Sequence, residues 1–243
     1  MAVIVFKQIT KSYQEGLRGK KLALKELSLE IEKGEVFGFL GPNGAGKSTA
    51  IKILLNFIFP DTGEVSINGQ QVSNPQVRKH LGYLPENPYL YDNLSPKELL
   101  LFKGRVCGFN SQQIKKRIDE ILPRLNLLNV KKRPLRTFSK GMVQRVGFAL
   151  ALINDPEILI LDEPFSGLDP LMRYDALELL LELKQKGKTI FFSSHILNDI
   201  ERVCDRIGIL NHGKLVYVGN SEDIVNKYSS LENAFLTIIK GYA

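Results

Sequence analysis

The nine residues Gly41-Pro-Asn-Gly-Ala-Gly-Lys-Ser-Thr constrain this chain more than any other segment. They match the pattern G-x-x-x-x-G-K-[ST], in which glycines let the backbone wrap a polyphosphate with successive N–H groups pointing inward. The pattern carries weight only between a strand and a helix, and both are legible here. Before it, Glu35-Val-Phe-Gly-Phe-Leu is an apolar run of the buried-strand type; after it, Ile51, Leu54, Leu55 and Ile58 fall on one helical face. Pro60-Asp-Thr-Gly reads as the stop of that helix. In this setting the helix dipole adds to the cradle, Lys47 reaches the β- and γ-phosphates, and the Ser48 hydroxyl ligates Mg2+. A dinucleotide loop is excluded, because it has no use for a lysine at this position.

Such a site needs an acid at the end of a second buried strand. Ile158-Leu-Ile-Leu-Asp162-Glu163 supplies it: four aliphatic residues push two carboxylates to the edge of the core. Asp162 is expected to hold the magnesium shell, and Glu163 to polarise or deprotonate an attacking water. His195 follows a further strand-like run, Thr189-Ile-Phe-Phe-Ser-Ser, and would project onto the same edge, although a lone histidine is more often structural. His80 and His212 have no such placement and are read as structural.

Around these motifs the first seventy residues read as short strands, Val3 to Ile9 and Leu27 to Ile31 among them, with an Asn-Gly turn after Glu64-Val-Ser-Ile. From about 87 to 153 the texture is helical. Ser95-Pro opens one helix and Ser111 another, with Ile114, Ile118, Ile121 and Leu125 on one stripe and Pro123 marking a kink or an early end. Val143, Val146, Leu150 and Ile153 form a third stripe. Alternating α/β texture then returns, with a hairpin around Asn211-His-Gly and a helical tail over 221–243. The expected architecture is an α/β sheet with ligand at the strand C-termini and a helical insertion.

No apolar run approaches the roughly 18 residues of a membrane span, and the start lacks the basic region of a signal peptide. Cys107 and Cys204 form no CxxC pair, which fits a reducing compartment. The chain is therefore expected in the cytoplasm. Its net charge of +7 resides in the segment from Lys115 to Lys140, where nine Lys or Arg face only Asp119 and Glu120. That segment reads as a solvated helix face, as a surface for anionic lipid or, most weakly because no nucleic-acid motif accompanies it, as a surface for nucleic acid.

At this point the chain resembles the nucleotide-binding subunits of ABC transporters over residues 1–220. The loop at 41–49 is similar to the Walker A motif, and 158–163 to the Walker B motif with its catalytic glutamate. Phe138-Ser-Lys-Gly-Met, followed by Val143-Gln144-Arg145, resembles the family signature, a helix start that contacts the γ-phosphate of the partner subunit's ATP. Ser166-Gly-Leu-Asp169 looks like the D-loop, His195 the switch histidine, and Tyr13 the aromatic that stacks on adenine. The resemblance thus implies a P-loop NTPase core with an N-terminal antiparallel β subdomain and an inserted α-helical subdomain at about 87–153. ATP would be held by Tyr13 and by Gly41, Pro42, Asn43, Gly44, Ala45, Gly46, Lys47, Ser48 and Thr49. Mg2+ would be held by Ser48, Glu86 and Asp162; the partner's ATP by Ser139, Lys140, Gly141 and Met142; and Glu163, His195 and Lys47 would be catalytic. Two departures stand out. Glu86 occupies the place of the family's Q-loop glutamine, and Phe-Ser-Lys-Gly-Met replaces the commoner Leu-Ser-Gly-Gly-Gln.

The resemblance implies a dimer, expected as two copies, sandwiching two ATP and driving solute export through separate integral membrane subunits. The segment Asn87-Pro-Tyr-Leu-Tyr-Asp would receive the membrane partner, placing the chain peripherally on the inner face of the cell membrane. Tyr-Leu-Pro-Glu-Asn-Pro is like the export-type branch. The alternative is a soluble ABC ATPase acting on nucleic acid or protein assembly. Such members usually carry two cassettes or a coiled-coil insertion, and no nucleic-acid partner is expected here.

Overall fold

The computed structural model describes residues 1–16 and 19–241. The chain opens with two long strands, β1 (Ala2–Glu15) and β2 (Gly19–Glu32), and then β3 (Val36–Leu40), which feeds the glycine-rich loop and α1 (Lys47–Leu54). β4 (Thr62–Ile67), β5 (Gln70–Gln71) and β6 (Leu81–Leu84) follow. Helices α2 (Pro96–Val106), α3 (Ser111–Arg124) and α4 (Lys140–Leu152) separate β6 from β7 (Ile158–Asp162). The remainder is α5 (Pro170–Gln185), β8 (Thr189–Ser194), α6 (Leu197–Val203), β9 (Arg206–Asn211), β10 (Lys214–Asn220), α7 (Ser221–Tyr228) and α8 (Leu231–Gly241).

These strands form two sheets. The first is antiparallel, in the order β2-β1-β4-β5, and the second runs β10-β9-β3-β8-β7-β6. In the second, β3 lies between β8 and β9, and every pairing is parallel except the β9–β10 hairpin. Parallel strands covered on both faces read as continuous apolar runs, and all five residues of β3 and of β7 are indeed buried. The two sheets meet through aromatic rings: Phe191 of β8 stands 6.3 Å from Phe6 of β1, and within its own sheet 5.5 Å from Phe39 of β3.

Three features depart from the sequence expectation. β1 and β2 extend well beyond Val3–Ile9 and Leu27–Ile31, because register shifts, among them those at Gln8 and Glu26, interrupt the alternation that marks a strand. Gln8 and Glu26 adopt φ of 50° and 49°, and their N–H groups donate to the Ser28 and Thr10 hydroxyls at 3.0 and 3.2 Å. Second, α1 ends at Leu54, so Ile58 is not on its face. Asn56 at φ 56° closes a Schellman motif in which Phe57 N–H donates to Lys52 O at 2.8 Å and Asn56 N–H to Ile53 O at 2.9 Å. Third, β6 is a strand that no sequence signal had marked.

The helical segment follows its capping chemistry. Ser95 and Asn110 each form a reciprocal capping box, with Glu98 and Gln113, at the starts of α2 and α3. α3 ends one residue past Pro123. The tail is two helices broken at Ser229, with φ 66°; Tyr242 and Ala243 lie outside the described residues. No helix among the described residues is long and apolar enough to cross a membrane.

Candidate nucleotide site

The glycine-rich loop lies where β3 ends between its two parallel neighbours, and close backbone approach explains two of its glycines. A Cβ on Gly41 would stand 2.3 Å from the Leu210 carbonyl oxygen, and one on Gly46 would stand 2.3 Å from that of Ala23. Gly46 also caps α1 at φ 111°, without a side-chain bond, so the first-turn N–H groups of α1 face the loop. Lys47 is buried. Its Nζ donates to the Gly41 carbonyl at 2.7 Å and lies 3.6 Å from Glu163 Oε1.

The acid pair meets the loop from β7. Asp162 Oδ1 accepts from Ser193 Oγ at 2.7 Å and from Ser48 Oγ at 3.3 Å. Glu163 turns sharply, at φ 49°, where a residue with a Cβ pays for its backbone conformation. Two bonds hold that turn: Glu163 N–H donates to Ser193 Oγ at 3.0 Å and to the Ser193 carbonyl at 3.2 Å. Its side chain folds back towards the loop, where Oε2 lies 2.8 Å from His195 Nδ1. A carboxylate only accepts, so Nδ1 carries the proton in this pairing. One buried carboxylate therefore contacts both the lysine and the histidine.

These groups open into a cleft of about 550 Å3 lined by Tyr13, Lys21, Ala23, the loop from Pro42 to Thr49, Glu86, Glu163 and His195. Tyr13 stands at one end, its hydroxyl 3.5 Å from Thr49 Oγ1 and its ring under Lys11 Nζ at 5.9 Å. Glu86 is exposed on the wall of the same cleft. The structure thus gathers most of the sequence-derived residues, but not all of them. Ser139 caps α4 by accepting from Met142 N–H at 3.3 Å, and Asp169 caps α5 by accepting from Met172 N–H at 2.8 Å. Neither they nor Lys140, Gly141 and Met142 line this cleft. The N-terminus of α4 is nonetheless tied to the acids, since buried Gln144 donates to the Pro164 carbonyl at 3.2 Å.

Two residues escaped the sequence reading. Ser193 is fully buried and serves both acids; its one signal was a Ser-Ser pair ending an apolar run just before His195. Lys21, paired across the β1–β2 ladder with Tyr13, lines the cleft. Of the other histidines, His80 pairs with Glu157 at 3.3 Å and His212 sits in the β9–β10 turn at φ 45°.

The donor set fits magnesium better than zinc. The Ser48 hydroxyl lies beside the Asp162 carboxylate, and no cluster of three or more His, Cys, Asp or Glu occurs among the described residues. Such a sparse oxygen site suits a small hard cation that keeps water and phosphate oxygens as its other ligands.

A glycine cradle with a buried lysine, facing an acid pair on the next strand but one of the same parallel sheet, defines a nucleoside triphosphatase of the P-loop type. The comparisons narrow this. Residues 24–166 match the ABC transporter family model. An uncharacterized ABC transporter ATP-binding protein of Synechocystis sp. is 44% identical over 238 residues, covering 96% of this chain and 66% of that protein. The linearmycin resistance ATP-binding protein LnrL of Bacillus subtilis is 35% identical over 237 residues, covering 93% of this chain and 76% of LnrL. Among solved structures, a dimeric ATP-binding cassette in a post-hydrolysis state with ADP and Pi superposes with a TM-score of 0.80 and 29% identity, covering 90% of this chain and 98% of that one. The chain belongs to the ABC transporter ATP-binding family and is an ATPase cassette.

Proposed function

We propose that this chain is the ATP-hydrolysing subunit of an exporter, pairing with a second copy around two ATP and driving solute out through separate membrane subunits. The observation that carries the reading is the triad of Lys47, Glu163 and His195 at the loop, with 3.6 and 2.8 Å separations centred on one carboxylate. Glu163 would take the proton of the attacking water. Lys47 and His195 would offset the charge that spreads over the γ-phosphoryl oxygens as the bond to the leaving group breaks. Tyr13 would stack on adenine, and Ser48, Asp162 and Glu86 would hold Mg2+. The ion, when bound, supplies charge neutralisation between the β- and γ-phosphates.

The positions of two helix caps support the partner copy. Ser139 and Asp169 cap helices outside their own chain's cleft, and Ser139 is exposed at the start of α4. A helix N-terminus of this kind presents N–H groups to an anion, and the phosphate of a facing chain is the anion within reach of a dimer. A second surface supports the membrane partner. Phe57, Tyr83, Tyr89, Tyr91 and Phe102 line a groove of about 420 Å3, and Tyr89 is 96% exposed. Aromatic side chains left in water on a groove mark a docking surface. The outward direction is favoured by the relative LnrL, named for resistance to linearmycin, and by the Tyr-Leu-Pro-Glu-Asn-Pro segment. The working location is the inner face of the cell membrane.

Capture of the tagged chain from detergent-solubilised native membranes tests the reading. A multi-span protein recovered in stoichiometric amount supports it. Recovery of the chain with ribosomal or other soluble partners alone leaves the ATP chemistry standing and removes the transport role.

A further inference from the structure

A line of contacts runs from the start of α4 to the helix that follows His195. The Lys140 stem lies across Gly167, where an added Cβ would stand 2.9 Å from Lys140 Cε, and Gly141 lies against Met172, whose Sδ a Cβ would meet at 2.6 Å. Gly167 and Met172 flank Asp169, the cap of α5. One residue beyond Met172, Arg173 Nε donates to Asp199 Oδ1 at 2.7 Å. Asp199 sits in the first turn of α6, four residues after His195, and is 2% exposed. Its other oxygen, Oδ2, finds no hydrogen-bond partner among the described residues. Beside this pair, Arg202 of α6 stacks on Tyr174 at 4.7 Å and pairs with Glu178, so α5 and α6 are joined twice more.

A carboxylate with one orphaned oxygen is an expensive object to bury, and burial pushes the Asp199 carboxyl up while the Arg173 guanidinium pulls it down. An apolar pair would pack these helices at no such cost; what a charged pair adds is a single geometry. Neither residue lines the nucleotide cleft. We propose that Arg173 and Asp199 are positioning residues that fix the switch histidine to the partner-facing end of α5, so that His195 moves as a unit with Asp169 and the start of α4. The inference rests on the dimeric ATPase reading and adds to it. A change where one chain meets its partner is carried through Arg173–Asp199 to the histidine of that chain's own ATP, and the two sites hydrolyse in concert.

The test uses the full chain with Asp199→Asn, Arg173→Gln, Arg173→Lys and the Arg173→Gln/Asp199→Asn double variant. ATP affinity, kcat and the Hill coefficient of hydrolysis are measured well below each variant's Tm. We expect Asp199→Asn and Arg173→Gln to keep ATP affinity within about twofold while kcat falls about tenfold, the scale of a misplaced catalytic group. Their Hill coefficients should fall to about 1. Arg173→Lys should recover much of kcat, and the double variant should be no worse than either single, as for two halves of one interaction. Single variants with wild-type kcat and cooperativity, or losses that add in the double variant, overturn the pairing role. Because Arg173 is partly exposed, its variants decide the matter even where Asp199→Asn fails to fold. A wild-type chain that turns over no ATP, or forms no ATP-dependent dimer, overturns the proposed function itself and this inference with it.

Discussion

Ser193→Ala gives the sharpest reading of how the acid pair is held. The hydroxyl is fully buried and makes two bonds, one donated to Asp162 at 2.7 Å and one accepted from Glu163 N–H at 3.0 Å. Their loss is unequal in consequence. Glu163 N–H keeps the Ser193 carbonyl at 3.2 Å, whereas Asp162 Oδ1 is left with Ser48 alone, at 3.3 Å. A hydrogen bond to a charged group contributes about 1.5–3 kcal/mol, so the destabilisation should be about 2 kcal/mol. For a domain of this size that lowers Tm by about 4–8 °C. If the turn at Glu163 relaxes by the worth of one neutral bond, about 1 kcal/mol, kcat falls about fivefold. The KM for ATP should hold, since Ser193 does not line the cleft. Calorimetry and steady-state ATPase assays on the purified chain suffice. A Tm within about 1 °C of wild type, together with an unchanged kcat, would refute the argument that this hydroxyl organises both acids.

Other consequences are as direct. Gly46→Ala places a Cβ 2.3 Å from a backbone oxygen at φ 111°, and should weaken ATP binding at least about tenfold by titration calorimetry. Gly44→Ala, with nothing within 4 Å of its Cβ, carries only the strain of its φ of 79° and should cost less; equal losses would mean that the close approach to Ala23 adds nothing to that strain. Glu163→Gln should bind ATP, lose at least about 100-fold in kcat, and elute as an ATP-bound dimer on a sizing column; near-normal turnover removes Glu163 from the base role. Asp61, bonded to the Ser12 hydroxyl, Lys11 and Ser12 N–H, has its pKa lowered from 3.8 to about 2. The folded state therefore favours the carboxylate. The Tm gap between wild type and Asp61→Asn should be full above pH 3.8 and vanish as pH falls through about 2; a gap independent of pH would assign it to packing instead.

What the sequence could show depended on how local each signal was. The loop at 41–49 and the run ending in Asp162-Glu163 are each contiguous, and each sets its groups in place with its own backbone or its own strand end, so their local structure was legible. The helical stripes were legible for the same reason, with caps at Ser95 and Asn110 where local chemistry demands them. The long β1–β2 hairpin was only half legible. The bulges at Gln8 and Glu26 reset the two-residue phase, and the polar stretch beyond Thr10 reads as loop until its partner strand is in view. The end of α1 was misjudged because Asn56, which stops it, looks like any polar residue until its φ is known. The roles of Ser193 and of the Arg173–Asp199 pair were not legible beyond the Ser-Ser pair before His195: the partners they serve lie 26 to 31 residues away in the chain and meet them through packing alone.

The placement of β3, β7 and β8 divides the molecule by timescale. Each of these strands is bonded on both sides and buried, so opening any of their amides requires breaking the sheet itself. The cradle and both acids hang from the ends of strands whose central amides are expected to be the slowest in the molecule to exchange their hydrogens. The starts of α4 and α5 lie outside the sheet and are held instead by their caps and by side-chain contacts such as Gln144 to the Pro164 carbonyl. Any motion in a catalytic cycle of this chain is then expected first at its helices, while the strands keep the lysine and the acids in register from one turnover to the next.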